Sequence, residues 1–164
     1  VGPVFAALMV TSRAGSAMTT ELGSMRVTNQ IDALVTMAVN PVQYLVVPRL
    51  VAGFVMVPVL TMLFNVVGVF GAFFVAVSLL GLDPGVFMDR LRWLVDWSDV
   101  SQGLIKAMVF GVAVTLIACR HGFYAEGGAA GVGRATNRSV VHSAIAILML
   151  DYLVTSLVLG EGFF

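Results

Sequence analysis

Lys106 and Asp151 each stand inside a long apolar run, where an ionisable side chain is costly and marks function by default. Measured along a helix from the far end of its run, each lies about 10–13 Å deep. At matched depth on consecutive antiparallel helices the two can pair. A structural salt bridge is one chemistry open to them; a proton or ion relay is the other. His121 and His142 are the only histidines, and they lack the spacing of a metal pair. His142 is expected to make an interhelical hydrogen bond. Cys119 is near His121, but neighbouring residues on a helix point apart and no orienting carboxylate follows, so no catalytic dyad is expected. The glycine-rich run from Gly127 to Gly133 carries no Gly-Lys-Ser/Thr and lacks the third glycine of a dinucleotide fingerprint. It reads as a loop. No catalytic residue, metal site or cofactor is expected in this chain.

The elements that hold these residues are apolar. The chain is 59% hydrophobic and 11% charged, with a mean hydropathy of +0.99. Soluble domains carry about 25% charged residues, so the composition places this chain in a bilayer. Nine basic and nine acidic residues cancel, leaving no basic field for nucleic acid. The single cysteine excludes an internal disulfide.

Four apolar blocks are expected, near residues 3–20, 44–82, 100–119 and 139–159. In the first, Thr11, Gly15, Thr19 and Gly23 recur every four positions, as do Ser12, Ser16, Thr20 and Ser24. Small residues at that spacing let membrane helices approach closely, or line a path. Arg13, within the block, snorkels or pairs near an interface. The second block would run about 57 Å as one helix, against a hydrocarbon core of about 30 Å. Pro48 and Pro58 can kink it, and Asn65 with Gly68 and Gly71 can loosen it. No polar turn divides it, so a single crossing is expected. Residues 83–99 read as a short helix lying on the membrane, with Asp83 as N-cap and Pro84 at its first position. Phe87, Leu91, Leu94 and Val95 share a face there, and Trp93 and Trp97 suit the lipid boundary.

Arg13, Arg26, Arg49, Arg120, Arg134 and Arg138 fall on one side of this layout. Arg90, Arg92 and Lys106 fall on the other, with four aspartates beside the first two. The positive-inside rule puts the first set in the cytoplasm and the C-terminus outside. The glycine-rich stretch 120–134 is then a cytoplasmic loop.

Between the first two blocks lies a polar segment, residues 21–34. From Arg26 to Ala38 a helix would gather Val27, Ile31, Leu34, Val35 and Ala38 on one face, with Glu21, Asn29, Asp32 and Thr36 opposite. Pattern alone gives a surface helix. Gly2-Pro3-Val4, Arg13-Ala-Gly-Ser16, Glu21-Leu-Gly23, Gln30-Ile-Asp-Ala-Leu34, Asn40-Pro41, Pro48-Arg49, Ile105-Lys106 and Arg134-Ala-Thr136 through Val140-Val-His142 occur in that order. In these the chain resembles the MlaE/YrbE family, the permease subunits of bacterial ABC transporters that move phospholipids with MCE-domain partners. Asn40 stands where that family often has Asp.

The resemblance implies an all-α, polytopic helical bundle with a cytoplasmic coupling helix and a short outer-surface helix. It implies that Glu21, Leu22, Met25, Arg26, Asn29 and Asp32 dock a cytoplasmic ATPase, which binds ATP and magnesium. It further implies a permease homodimer, an MCE-domain protein on the outer side, a phospholipid substrate, and a place in the bacterial inner membrane. Asn65, Lys106, His142 and Asp151 are the intramembrane polar candidates. The chain opens on Val1-Gly2-Pro3 with no initiator Met and is read as the C-terminal part of a longer single-domain permease. A secondary transporter or channel using Lys106 and Asp151 as a relay is the alternative.

Overall fold

The computed structural model describes residues 2–160, with side chains through 157. Every regular element among them is helical. Helix α1 (Gly2–Val10) passes through a π-helical turn, Thr11–Gly15, into α2 (Ser16–Val27). The short α3 (Gln30–Thr36) follows. A second π turn, Val42–Val46, opens α4 (Val47–Phe74), which closes on a third, Val75–Leu79. Then come α5 (Pro84–Leu94), α6 (Trp97–Phe123) and α7 (Gly128–Gly160).

Three helices are long and apolar enough to cross a membrane: Val42–Leu79, Trp97–Phe123 and Gly128–Leu157. The second apolar block is therefore one 38-residue helix, and it runs through Pro58 without ending. The first block is not among the three, because its middle carries Thr11, Ser12, Arg13 and Ser16. The three hydroxyls are tolerated because the backbone of their own helix satisfies them, Ser12 Oγ donating to Met9 O and Ser16 Oγ to Ser12 O. Thr11 Oγ1 donates to Ala7 O at 2.8 Å, inside the turn that widens into the π bulge.

The two rows of small residues separate cleanly. Thr11, Gly15, Thr19 and Gly23 are buried, whereas Ser12, Thr20 and Ser24 are exposed. The first row is thus a packing face. Thr19 sits at its centre. Its Oγ1 lies 3.1 Å from Ala118 O on α6 and 2.9 Å from Ser139 Oγ on α7. One hydroxyl joins three helices where no water competes. Glycines bring α4 and α6 together as well. A Cβ on Gly111 would run into the Gly53 carbonyl, and one on Gly53 would meet Thr115. Close backbone approach of this kind replaces the hydrophobic driving force that lipid removes.

Two apolar clusters fill the bundle. Ala7, Phe110, Val114 and Ile147 form one. Leu22, Ile31, Leu45 and Cys119 form the other, near α3. The long α4 leaves Phe54, Leu63, Val67 and Phe70 exposed, the expected face toward lipid.

Two expectations are corrected. The stretch 120–134 is not a loop. Helix α6 continues to Phe123, and α7 starts at Gly128, so the connection is residues 124–127. Gly127 and Gly128 take positive φ, of 89° and 68°, and make that turn. Gly131 leaves room for the Glu126 backbone, which its Cβ would strike. The glycines permit a tight helical hairpin instead of a floppy link. Likewise, residues 83–99 are not one surface helix. Helix α5 ends at Leu94, Val95 and Asp96 are extended, and Asp96 caps α6. Leu94 and Val95 are exposed, while Phe87 and Leu91 are half-buried, with Phe87 edge-on to Phe73 at 5.5 Å. The expected cap at Asp83 is present: its Oδ1 accepts from Gly85 N at 2.7 Å, with Pro84 next.

Candidate functional site

Helix α2 carries the polar segment out of the bundle as far as Val27. Thr28 then closes the last turn, its backbone N–H donating to Ser24 O at 3.0 Å. Asn29 adopts φ 58°, the left-handed conformation that asparagine tolerates and other side chains resist. The chain turns, and α3 folds back over the end of the bundle with Ile31 buried against Leu22, Leu45 and Cys119.

This kink overturns the expected single amphipathic helix. Ile31 is buried and Leu34 half-buried, but Val27 and Val35 are exposed, and Ala38 leaves helical geometry at φ 58°. A helix running straight through Asn29 would put its hydrophobic stripe on one line; the turn divides it.

The kink also makes an ion pair. Arg26 Nη1 donates to Asp32 Oδ1 at 2.7 Å. Residues six apart on a straight helix point about 120° apart and lie about 9 Å apart along its axis, so the pair forms because the chain bends at Asn29. Glu21 and Arg49 make a second bridge, at 3.0 Å, from α2 to the start of α4, and Arg49 Nη1 also donates to Met18 O at 3.4 Å. The charges expected to await a partner are therefore matched within the chain. Glu21 and Asp32 still present carboxylate surface, with side chains 65% and 58% exposed.

The remaining docking candidates divide. Asn29 is exposed at the tip of the kink and Met25 is half-buried. Leu22 is fully buried, so it supports the kink from beneath and cannot itself meet a partner. Arg26, Asn29 and Asp32 line one wall of a cleft of about 260 Å³ whose other wall is residues 125–128. That second wall was not anticipated. Its one signal in the sequence is the pair Gly127-Gly128, whose positive φ makes the turn.

Deeper in the bundle, Lys106 Nζ donates to Asp151 Oδ1 at 3.1 Å and to Thr155 Oγ1 at 2.6 Å. The expected pair from α6 to α7 is formed. Thr155, one turn from Asp151, joins it, a partner that the i to i+4 spacing could have disclosed. His142 makes its interhelical hydrogen bond with His121, His121 Nε2 lying 2.8 Å from His142 Nδ1. Asn65 takes no part in the bundle interior: it is exposed, with its carboxamide against Gly2. Arg13 is exposed beside an apolar groove lined by Met9, Val10, Leu60 and Phe64.

An all-α bundle with three membrane-crossing helices, small-residue contacts between them and a folded polar cap at one end is a multi-pass membrane protein of the permease type. A family model described as "Permease MlaE" matches residues 1–157. The chain belongs to the MlaE permease family. It is 41% identical over 163 residues to the intermembrane phospholipid transport system permease protein MlaE of Haemophilus influenzae, covering 99% of this chain and 62% of that protein. It is 41% identical over 157 residues to a probable ABC transporter permease protein of Rickettsia felis, covering 96% of this chain and 61% of that one. A chloroplast relative, TRIGALACTOSYLDIACYLGLYCEROL 1 of Arabidopsis thaliana, is 34% identical over 157 residues, with 95% and 45% covered. The chain thus spans about three fifths of the length of the bacterial relatives.

Proposed function

We propose that this chain is the permease part of an ABC transporter that moves phospholipid between membranes. The relationship to the Haemophilus influenzae phospholipid-transport permease, over nearly the whole chain, carries this reading. The expected place is the inner membrane of a bacterium, with α3 and the 124–127 turn in the cytoplasm and α5 outside. A separate ATPase binds ATP and magnesium and supplies the hydrolysis. Two permease copies enclose the lipid path, and an MCE-domain protein receives the lipid on the α5 side.

The geometry of the kinked end suits this role. The ATPase would bear on Glu21, Asn29, Asp32 and the opposite wall of the cleft. The Arg26–Asp32 bridge holds α3 to α2, and the Glu21–Arg49 bridge holds α2 to α4. A push on α3 therefore moves two long helices instead of bending a loop. Thr19 passes the movement on to α6 and α7. Nucleotide can shift such a bundle only by its different affinity for the two states.

The test is purification of the full-length protein with its partners, with ATP hydrolysis and lipid transfer measured in proteoliposomes. Glu21→Arg, Arg26→Glu and Asp32→Arg should reduce the bound ATPase or uncouple hydrolysis from transfer. Wild-type assembly, hydrolysis and transfer in all three would remove the docking assignment. Lipid or ion flux with no ATPase present would replace the whole reading with a secondary transporter.

A further inference from the structure

The connection between α6 and α7 gathers three arginines, Arg120, Arg134 and Arg138, around adjoining cavities. His121 and Tyr124 line two adjoining cavities, of about 280 and 460 Å³. Arg120 and His142 complete the larger; Arg134 and Arg138 line the smaller, together with Glu126. The imidazoles of His121 and His142 stand with ring centres 4.9 Å apart. Among the described residues, Arg120, Arg134 and Arg138 enter no ion pair and donate no side-chain hydrogen bond. Arg26, Arg49 and Lys106 each hold a carboxylate instead. Arg90 and Arg92, at the other end, lie in a stretch with four aspartates.

We propose that Arg120, His121, Arg138 and His142 form a binding site for a phosphate group, as carried by a phospholipid headgroup or by free phosphate. Guanidinium forks match phosphate oxygens two at a time, and the one imidazole N–H left free by the His121–His142 hydrogen bond and the Tyr124 hydroxyl add single donors. Donors carried by two helices around two adjoining cavities that share His121 and Tyr124 suit a tetrahedral oxyanion, whose oxygens outnumber those of a carboxylate. The surroundings suit an amphiphile. Val141, Ile145 and Leu148 continue the face of Arg138 along α7, and all three are exposed. A headgroup held at the cluster would lay its acyl chains along that strip. The inference stands on the cluster itself and needs neither the ATPase nor a transport direction.

The full chain, purified in maltoside detergent, is offered equal amounts of phosphatidylglycerol and phosphatidylcholine, and retained lipid is read by native mass spectrometry. Inorganic phosphate is titrated separately and followed by phosphorus NMR line width. Arg120→Gln/Arg138→Gln and His121→Phe should each weaken binding about tenfold or more, the loss expected when charge-assisted or well-oriented donors are removed. His121→Asn keeps a donor and should recover part of it. Arg90→Gln/Arg92→Gln removes the same charge at the opposite end and should bind as wild type. Size exclusion and circular dichroism check that each variant is folded. Site-dependent retention of lipid identifies a headgroup; site-dependent line broadening with no lipid retention identifies free phosphate. The proposal is overturned if His121→Phe and the Arg120/Arg138 variant keep wild-type behaviour in both arms. It is overturned equally if the Arg90/Arg92 variant loses as much, because net charge then explains the binding.

Discussion

Lys106 Nζ and Asp151 Oδ1 lie 3.1 Å apart between α6 and α7, and Thr155 completes the ammonium's partners at 2.6 Å. The side chains are 18% and 36% exposed, so the pair is only partly removed from solvent. A charged hydrogen bond of this kind contributes about 1.5–3 kcal/mol. Lys106→Met or Asp151→Leu alone should lower thermal stability by an amount in that range, and the double change should recover part of it. A double mutant as poor as the sum of the singles would show that the residues do not interact. A stable double mutant without transport would point to a relay.

Glu21 has two roles to separate. Its bridge to Arg49 is internal, whereas its side chain as a whole stays 65% exposed. Exchanging the charges, Glu21→Arg with Arg49→Glu, should restore the melting temperature lost in either single variant. It should not restore ATPase capture, because the outward charge remains reversed. Recovery of both would make the bridge purely structural.

Thr19→Val keeps the shape and removes the hydroxyl that joins α2, α6 and α7. Leaving Ser139 and the Ala118 carbonyl short of a partner should cost about 1–3 kcal/mol. Thr19→Ser should recover most of that. Equal melting temperatures for Thr19→Val and wild type would show that the hydroxyl network adds no net stability.

Gly111→Ala should destabilise by about 1–3 kcal/mol, since the new methyl meets the Gly53 backbone. Gly68→Ala, with open space around it, should be neutral or stabilise by about 0.5–1 kcal/mol through helix propensity. The opposite ranking would mean that α4 and α6 do not pack as described.

Sidedness is tested with single cysteines in a Cys119→Ser background. An impermeant thiol reagent should label Asp89→Cys in intact spheroplasts and leave Ala129→Cys unlabelled until the membrane is opened. The reverse pattern would invert the molecule.

The sequence by itself determined the membrane setting and the long helices, because hydropathy and small-residue spacing act locally and leave few solutions in lipid. It also determined the Asp83 cap with Pro84, a bond within three residues, and the Lys106–Asp151 pair, since two charges at matched depth have few other partners. The tertiary structure decided the rest. Arg26 meets Asp32 because Asn29 turns left-handed, and Asn29 turns because Ile31 gains burial against Leu22 and Cys119 from other helices. Leu22 looks like a docking residue within its own helix but is buried once α6 closes over it: a Cβ on Gly122 would lie 2.7 Å from Leu22 Cβ. Glycines 128, 131 and 133 read as a loop because glycine propensity for helix is poor. Gly131 becomes helix because the Glu126 backbone comes too near for any larger residue there, and Gly23 of α2 is set against Val132 and Ala125; Gly128 makes the turn at positive φ, and Gly133 has open space around it. Local propensity is written in neighbouring residues, whereas close approach depends on distant ones that only the folded chain brings together.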